Sequence, residues 1–239
     1  MSKHLKRLAA PRAWPIKRKT SAWIARPQPG PHRLERALPL QVIVRDILHL
    51  VDNRSEARKV LASRAVLVDN RVVTEPKRGV GLMDTVSIPK MDAHFRVLVD
   101  YRGMLALVPI PKGETSWKLA RVERKVNLTG RKWQVGLHDG RNIRMDKCPL
   151  RTGDTLKIEV PSQRVVEHYP FAAGNVAYII GGSHVGQVAR VEGVDVVRSS
   201  ATNLVRFREG FSTTKNHVFI AGTQQPGIKV PESQRGGGA

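Results

Sequence analysis

Two short helices and a β-hairpin are encoded in residues 40–73, LQVIVRDILHLVDNRSEARKVLASRAVLVDNRVV. Apolar residues recur at steps of three and four from Leu40 to Val51, which is typical of the inner face of a helix. A second helix begins after Asn53, a favourable N-cap, and Glu56 stands three residues later as in a capping box. The sequence therefore predicts a compact pair of helices in this region.

The hairpin follows the second predicted helix. Residues 65–68 and 71–73 are rich in Val and flank Asp69-Asn70, a pair that tolerates the backbone angles of a tight turn. A further strand is predicted at Thr85–Ile88. Helices followed by short strands indicate a small α/β module.

The rest of the chain predicts β structure. Short apolar runs alternate with Gly-containing turns at 95–99, 104–110, 119–122, 133–137, 142–145 and 156–160. From Phe171 onward, alternating apolar residues together with Gly182 and Gly186 predict a small barrel with a glycine-shaped loop. The predicted fold class is α+β, mostly β.

The predicted organisation has five segments. They are a basic N-terminal arm at 1–38, a small α/β module at 39–94, a central β domain at 95–170, a barrel at 171–230 and a flexible tail at 231–239.

The arm is rich in Lys and Arg and holds the single acid Glu35. Its many prolines disfavour a long helix, so we expect an extended or disordered segment until a partner orders it. Trp14 and Trp23 lie among the basic residues, where they can stack on unpaired bases or pin the arm to the protein body. A solvated tail without function is the simpler alternative.

The charge of the whole chain points to a polyanionic partner. Lys and Arg number 41 against 20 Asp and Glu, giving a formal net charge of +21 and a pI near 11.0. Basic side chains that neutralise phosphates release counterions, which favours binding to nucleic acid. No apolar run is long enough for a membrane-spanning helix, so we expect no membrane partner. Cys148 is the lone cysteine, which indicates a reducing cytosolic compartment and predicts no zinc site, no other metal and no cofactor.

Catalytic motifs are incomplete. Residues 181–188, GGSHVGQV, approach a phosphate-binding loop, but Gln187 and Val188 replace the Lys and the hydroxyl residue that the chemistry requires. Ser183-His184 and His138-Asp139 are interpreted as turns rather than as catalytic pairs. We predict that the protein is not an enzyme.

Several segments resemble the archaeal and eukaryotic small-subunit ribosomal protein family S4e. They are KHLKRL at 3–8, GPHRL at 30–34, RSEARK at 54–59, VLVDN at 66–70, GLMD at 81–84, HDGRNIR at 138–144 and IIGGSHVGQV at 179–188. The third and fourth are similar to an S4-type RNA-binding module, and the last is similar to the KOW motif of SH3-like barrels. Val185 stands where a KOW loop often has a basic residue, and the short C-terminal region favours an archaeal-type member.

The resemblance implies a non-catalytic constituent of the small ribosomal subunit that binds ribosomal RNA in the cytoplasm. The implied partners are small-subunit ribosomal RNA and neighbouring ribosomal proteins, and we expect no independent homo-oligomer. Two alternatives remain: an RNA-modifying enzyme with an S4-type module, although no Gly-Arg-Leu-Asp loop is present, and a KOW-bearing transcription or assembly factor.

The candidate RNA contacts are one tryptophan of the arm and basic residues of the arm, the helix pair, the hairpin and the central domain. They are Lys3, Lys6, Arg7, Arg12, Trp14, Lys17, Arg18, Lys19, Arg26, Arg33, Arg45, Arg54, Arg58, Lys59, Arg64, Arg71, Lys77, Arg78, Arg141 and Arg144, with Gly182 and Gly186 in the KOW loop.

Overall fold

The computed structural model describes residues 4–130 and 132–231. These residues form two compact units. One comprises the chain up to Leu98 together with Met104–Lys118, and the other comprises Val99–Gly103 and the residues from Leu119 onward. Among the residues described, no helix combines the length and the apolar character needed to span a bilayer.

The helical pair of the first unit is shorter than predicted. Helix α1 covers Leu40–Val42 and continues as a π-helical turn at Ile43–Ile47, where the Leu48 amide donates to the Ile43 carbonyl at 2.9 Å. The helix was predicted to reach Val51, but His49 adopts a positive φ of 51° and ends it. Leu40, Val42, Ile43 and Val44 are fully buried, so the predicted inner face is confirmed up to that point.

Helix α2 covers Arg54–Ala62 and begins as predicted. The Glu56 amide donates to Asn53 Oδ1 at 2.9 Å, and Glu56 Oε2 accepts from the Asp52 amide at 3.0 Å. Ala57 and Leu61 are buried against the rest of the unit. The predicted N-cap is therefore confirmed, whereas the Glu56 carboxylate accepts from the residue before the cap and not from the Asn53 amide.

The first unit contains one five-stranded antiparallel sheet, ordered β5-β4-β7-β8-β9, and two small ladders, β1-β2 and β3-β6. Its strands are β1 at Leu5–Lys6, β2 at Trp23–Ile24, β3 at Ala37–Pro39, β4 at Leu67–Val68, β5 at Arg71–Val72, β6 at Gly79–Gly81, β7 at Thr85–Ile88, β8 at Ala93–Val99 and β9 at Leu105–Pro109. The predicted hairpin is confirmed as β4 and β5, joined by Asp69 and Asn70 with φ of 49° and 56°.

The domain boundary predicted at 94/95 falls inside β8. Strand β8 pairs with β7, with Val86 opposite Phe95, so this strand belongs to the sheet of the helical module. The strands predicted at 95–99 and 104–110 do form, but they complete that sheet instead of opening the central β domain. Apolar alternation identifies a strand, whereas the sheet that the strand joins depends on long-range pairing.

The second unit holds two five-stranded antiparallel sheets, ordered β12-β11-β10-β13-β14 and β18-β17-β16-β15-β19. The first sheet contains β10 at Trp117–Leu128, β11 at Lys132–Leu137, β12 at Asn142–Met145, β13 at Thr155–Glu159 and β14 at Val165–Tyr169. The second contains β15 at Val176–Ile179, β16 at Val188–Asp195, β17 at Leu204–Phe207, β18 at Ser212–Thr214 and β19 at Val218–Gly222. Each sheet has its own apolar core, the first around Leu137 and Leu156 and the second around Val191 and Phe207.

Short 3-10 turns connect several of these elements. They lie at Arg7–Ala9, Leu34–Arg36, Pro89–Met91, Lys112–Ser116 and Lys215–His217.

The loop between β15 and β16 depends on glycine. Gly182 and Gly186 have positive φ angles of 89° and 80°. A Cβ atom at Gly186 would lie 2.7 Å from the backbone of Asp100 and Tyr101, so no larger residue fits there without moving the chain. The prediction of a glycine-shaped loop is confirmed.

The N-terminal arm from His4 onward holds only short strands and 3-10 turns, so it lacks a long helix as predicted, and several of its apolar residues pack within the first unit. Trp14 is 1% exposed, and Ala10 and Ile24 are also buried. The Leu105 amide donates to the Ala13 carbonyl at 2.7 Å. Burial of these apolar groups offsets the loss of chain entropy, which the low apolar content of the arm had suggested was too costly.

Candidate nucleic-acid interface

The basic face of the first unit is built on α2 and the hairpin that follows it. Arg54, Arg58 and Lys59 of α2 are exposed, as is Arg64 just beyond its end. None of these four side chains makes a hydrogen bond or ion pair with another residue that the structure describes. Arg71 is also exposed, at the start of β5. Four unpaired cations on one short segment can meet phosphate oxygens without first breaking an internal contact.

A buried ionic cluster lies in the same unit. Lys118 Nζ donates to Asp69 Oδ2 and to Asp84 Oδ1, each at 2.7 Å. His32 Nε2 lies 2.8 Å from Asp84 Oδ2, which also accepts from the Gly81 amide at 3.0 Å. The side chains of Lys118 and Asp84 are 1% and 3% exposed. Burial by itself would raise the pKa of Asp84, but the nearby His32 and Lys118 hold it well below its ordinary value of 3.8.

This cluster fixes the turn that presents Arg71. Asp69 is the first turn residue between β4 and β5, and its Oδ1 accepts from the Thr85 amide at 3.1 Å while its Oδ2 binds Lys118. The turn is therefore anchored from two directions. Rigid support of this kind lowers the entropy lost when an exposed residue binds a partner.

The predicted RNA contacts of the arm fall into two groups, which differ in their burial. Arg7 and Trp14 are buried, and Arg18 is half-buried with its guanidinium hydrogen-bonded to the Ala10 and Pro11 carbonyls at 2.7 and 2.9 Å. Trp14 thus pins the arm and has no face available for a base in this structure, which corrects its prediction as an RNA contact. The exposed group comprises Lys6, Arg12, Lys17, Lys19 and Arg33, while Lys3 lies outside the described residues.

The remaining cations of the first unit are partly engaged. Arg45 Nη2 lies 2.7 Å from Asp46 Oδ2, and the same carboxylate binds the buried Arg7 at 3.3 Å. Arg26 and Lys77 are half-buried, whereas Arg78 is exposed. Backbone pairing of Gln28 with Lys77 at 2.9 Å brings the arm alongside these residues.

In the second unit, Arg141 and Arg144 have different surroundings. Arg141 is half-buried, and its Nε lies 3.1 Å from Asp139 Oδ2 in the turn that joins β11 and β12. Arg144 is exposed on β12. Gly140 has a positive φ of 76°, so the interpretation of His138-Asp139 as part of a turn is confirmed.

Arg144 belongs to an exposed sheet face that the sequence prediction missed. Gln134 pairs with Arg144 on one side and with Val126 on the other, so these three side chains share a face. Arg124 and Lys132 project from the same face, because they lie two residues from Val126 and Gln134. Basic and polar residues at every second position, at 124, 132, 134 and 144, were the signal that could have found this face.

Gly136 gives Arg124 its orientation on this face. A Cβ atom at Gly136 would lie 2.8 Å from Arg124 Cγ and 3.0 Å from its Nε, so the arginine side chain lies across the glycine. An arginine held flat on a sheet presents both its charge and its planar face to a ligand.

The histidines of the two motifs interpreted as turns contact other parts of the second unit. The His184 ring stacks on Phe211, with centroids 4.0 Å apart and planes at 16°. His138 Nδ1 accepts from the Arg121 amide at 3.1 Å. Both contacts support the turn interpretation over a nucleophile and base pair.

The chain matches three family models. Residues 91–165 match ribosomal family S4e, residues 1–35 match the RS4NT (NUC023) domain, and residues 38–86 match the S4 domain.

Curated relatives and one solved structure are similar over most of the chain. The small ribosomal subunit protein eS4 of Methanothermobacter thermautotrophicus is 41% identical over 233 residues, covering 96% of each chain. That of Methanocella arvoryzae is 40% identical over 229 residues, covering 95% of this chain and 97% of the relative. The crystal structure of 30S ribosomal protein S4e from Thermoplasma acidophilum superposes with a TM-score of 0.71 at 38% identity, covering 79% of this chain and 96% of that one.

Proposed function

The chain belongs to the ribosomal S4e family, and on that premise we propose how it holds ribosomal RNA. The family consists of structural proteins of the small ribosomal subunit and not of enzymes, and this chain is an RNA-binding structural constituent of that subunit. In our proposal, the exposed cations of the arm, of α2 and of the sheet face around Arg144 contact RNA phosphates, while the buried cations hold the scaffold.

The division between paired and unpaired cations supports this proposal. Arg54, Arg58, Lys59 and Arg64 are exposed and have no partner among the described residues. With a formal net charge of +21, the free protein carries strong self-repulsion that phosphates would relieve. Each phosphate neutralised also releases condensed counterions, so affinity should fall steeply with salt.

We further propose that residues 171–230 form the KOW-type SH3-like barrel, and that the arm, the helical module with its five-stranded sheet, and the sheet from β10 to β14 act as separate RNA-facing segments. The β15–β16 loop with Gly182 and Gly186 supports the KOW assignment. We also propose that the chain contacts neighbouring ribosomal proteins, that it is cytoplasmic and that it forms no independent homo-oligomer. Residues 232–239 of the predicted tail lie outside the described residues.

The test is a binding series against small-subunit ribosomal RNA at rising salt, with the full chain. Replacement of Lys6 or Arg58 by Ala should lower the slope of log K against log salt by about one unit each, because each removes one phosphate contact. The exposed Lys90, which lies outside the predicted contact set, gives a matched control in Lys90→Ala. Unchanged slopes for both test variants would contradict direct phosphate contact.

A second experiment separates the structural role from that of an assembly or transcription factor. A ribosomal constituent should remain with small subunits during sedimentation through high salt, whereas a transient factor should be released. Loss of the protein from the particles would contradict the proposed role.

A further inference from the structure

Two large apolar side chains of the described part of the arm are more than half exposed. Trp23 is 57% exposed and Leu8 is 70% exposed, although Trp14 and Ile24 of the same arm are buried. An exposed tryptophan forgoes the favourable burial of a large apolar surface. The arm therefore buries Trp14 and Ile24 and leaves the apolar surfaces of Trp23 and Leu8 exposed.

The short β1-β2 ladder explains the orientation of Trp23. Leu5 pairs with Ile24 and Lys6 pairs with Trp23, and residues paired across a ladder share one face of it. Ile24 is buried, so the Lys6 and Trp23 pair occupies the opposite, exposed face. Lys6 and Trp23 thus share one exposed face, and the His4 ring lies beside the indole, with centroids 5.7 Å apart and planes at 60°.

A pocket of about 530 Å³ opens beside this pair. Its lining combines the apolar surfaces of Leu8, Ala22 and Trp23, the cations of Lys6, Arg18 and Lys19, and the hydroxyls of Thr20 and Ser21. None of the described residues that line the pocket carries a carboxylate. The Thr20 and Ser21 hydroxyls donate to the Lys17 and Trp23 carbonyls, so the aromatic face and the positive charge remain for a ligand. Such a combination suits an anionic ligand that has a flat ring.

Internal hydrogen bonds hold the wall of this pocket in place. The Arg18 guanidinium donates to the carbonyls of Ala10 and Pro11, and the Arg7 amide donates to the Ala22 carbonyl at 2.9 Å. By contrast, Lys6 and Lys19 are exposed, and their side chains have no hydrogen bond or ion pair with the described residues. A fixed wall with two available ammonium groups lowers the entropy lost on binding.

We infer that this pocket takes one unpaired nucleotide of RNA, with its base on the Trp23 ring and its phosphate between Lys6 and Lys19. The inference rests on the proposed function, because it gives the arm a base-stacking contact in addition to its phosphate contacts. A single-stranded or looped-out nucleotide is required, since a paired base does not expose its face. The stacking face belongs to Trp23 and not to the buried Trp14.

Tryptophan fluorescence of the full chain tests the inference with a short single-stranded oligoadenylate as the probe. Adenine stacked on Trp23 should quench part of the emission, and Trp23→Ala should abolish that part and weaken binding about tenfold, the scale of one stacked base. Trp23→Phe should restore most of the affinity, because a phenyl ring still stacks. Trp14→Phe is the matched control and should leave the quenching in place.

Two competing polyanions distinguish a base from charge alone. Inorganic polyphosphate and polyglutamate should bind the basic arm without quenching Trp23. Equal quenching by polyglutamate, or unchanged quenching by oligoadenylate in Trp23→Ala, would overturn the inference.

Failure of the inference can be told apart from failure of the proposed function. If Trp23→Ala and the wild type bind small-subunit ribosomal RNA and oligoadenylate with equal affinity, the pocket assignment is wrong and the proposed function stands. If the wild type does not bind ribosomal RNA at physiological salt, the proposed function is wrong, and the oligoadenylate titration still decides the pocket.

Discussion

The ionic cluster around Lys118 and the basic face of α2 place the same kind of charge in opposite surroundings within one unit. Lys118 is 1% exposed and binds two carboxylates, whereas Lys59 is exposed and has no partner among the described residues. A buried charge is costly to leave without a counter-charge, and a solvated one is not. Lysines in this protein therefore serve either the fold or the partner, and their surroundings decide which.

Arginines show the same division. Arg96 is fully buried, its guanidinium lies 4.2 Å from the Trp117 ring, and it donates to the Glu114 carbonyl at 3.0 Å. Burial lowers the pKa of Arg96 to about 10, and the charge of Glu114 partly opposes that shift. Arg121 of the second unit is also buried and donates to the Val218 carbonyl at 2.8 Å. Both residues add to the net charge of the free protein without lying on an exposed surface.

The largest expected effect is a loss of stability when a lysine is replaced by methionine in the buried cluster but not on the exposed face. Lys118→Met should lower the free energy of unfolding by about 3–5 kcal/mol, because it removes the ammonium group that the buried Asp69 and Asp84 share. Lys59→Met, the same replacement on the exposed face, should change it by less than about 0.5 kcal/mol. Urea unfolding of both variants checks the comparison, and equal losses would contradict it.

The cluster should also make stability depend on pH in the acid range. The pKa of Asp84 is lowered in the folded state, so the unfolded state binds more protons and the stabilisation is present above the ordinary value of 3.8. It should be lost progressively as the pH falls below that value toward the folded-state pKa. Urea unfolding across this range should show a flatter dependence for Asp84→Asn than for the wild type. The exposed Asp52 provides the control Asp52→Asn, which should keep the wild-type slope.

A smaller effect is expected at the start of the basic helix. Asn53→Ala removes the acceptor for the Glu56 amide and should cost about 1 kcal/mol of unfolding free energy. Asn53→Ser keeps a capping oxygen and should cost much less. If the two variants have equal stability in urea, the cap does not support α2.

The smallest effect on stability should come from the exposed sheet face. The double variant Arg124→Ala and Arg144→Ala should change the unfolding free energy by less than about 1 kcal/mol, because both side chains are solvated. Its salt slope for ribosomal RNA should nevertheless fall by about two units. Lys157, which is paired with Glu167 at 2.9 Å, supplies the control Lys157→Ala with an unchanged slope. A slope equal to that of the wild type in the double variant would remove this face from the proposed interface.

Local signals predicted much of the fold. The Asn53 cap on the Glu56 amide and the tight turn at Asp69-Asn70 act between residues that are close in sequence, and both form as predicted. The turn glycines were also identified, because their positive φ angles exclude most other residues. The end of α1 was missed, since the apolar pattern continues beyond the residue at which the backbone turns.

The candidate site was less predictable. Arg7, Trp14 and Arg18 are of the same residue types as exposed residues of the arm. Nothing in the local sequence distinguishes the buried group from the exposed one. The sheet face around Arg144 was missed because its members come from three strands. Only strand register places them side by side.

The sequence alone determined the net charge, the S4-type helix and hairpin pattern and the membership of a ribosomal family, because these depend on composition and on residues that are neighbours in the chain. Tertiary structure decided which cations face solvent. Lys118 meets Asp69 across 49 residues and Asp84 across 34, and such pairings depend on how the whole unit packs. An unpaired charge is costly when it is buried and is not costly when it is solvated. The assignment of each lysine and arginine to the scaffold or to the interface therefore follows from packing and not from residue type.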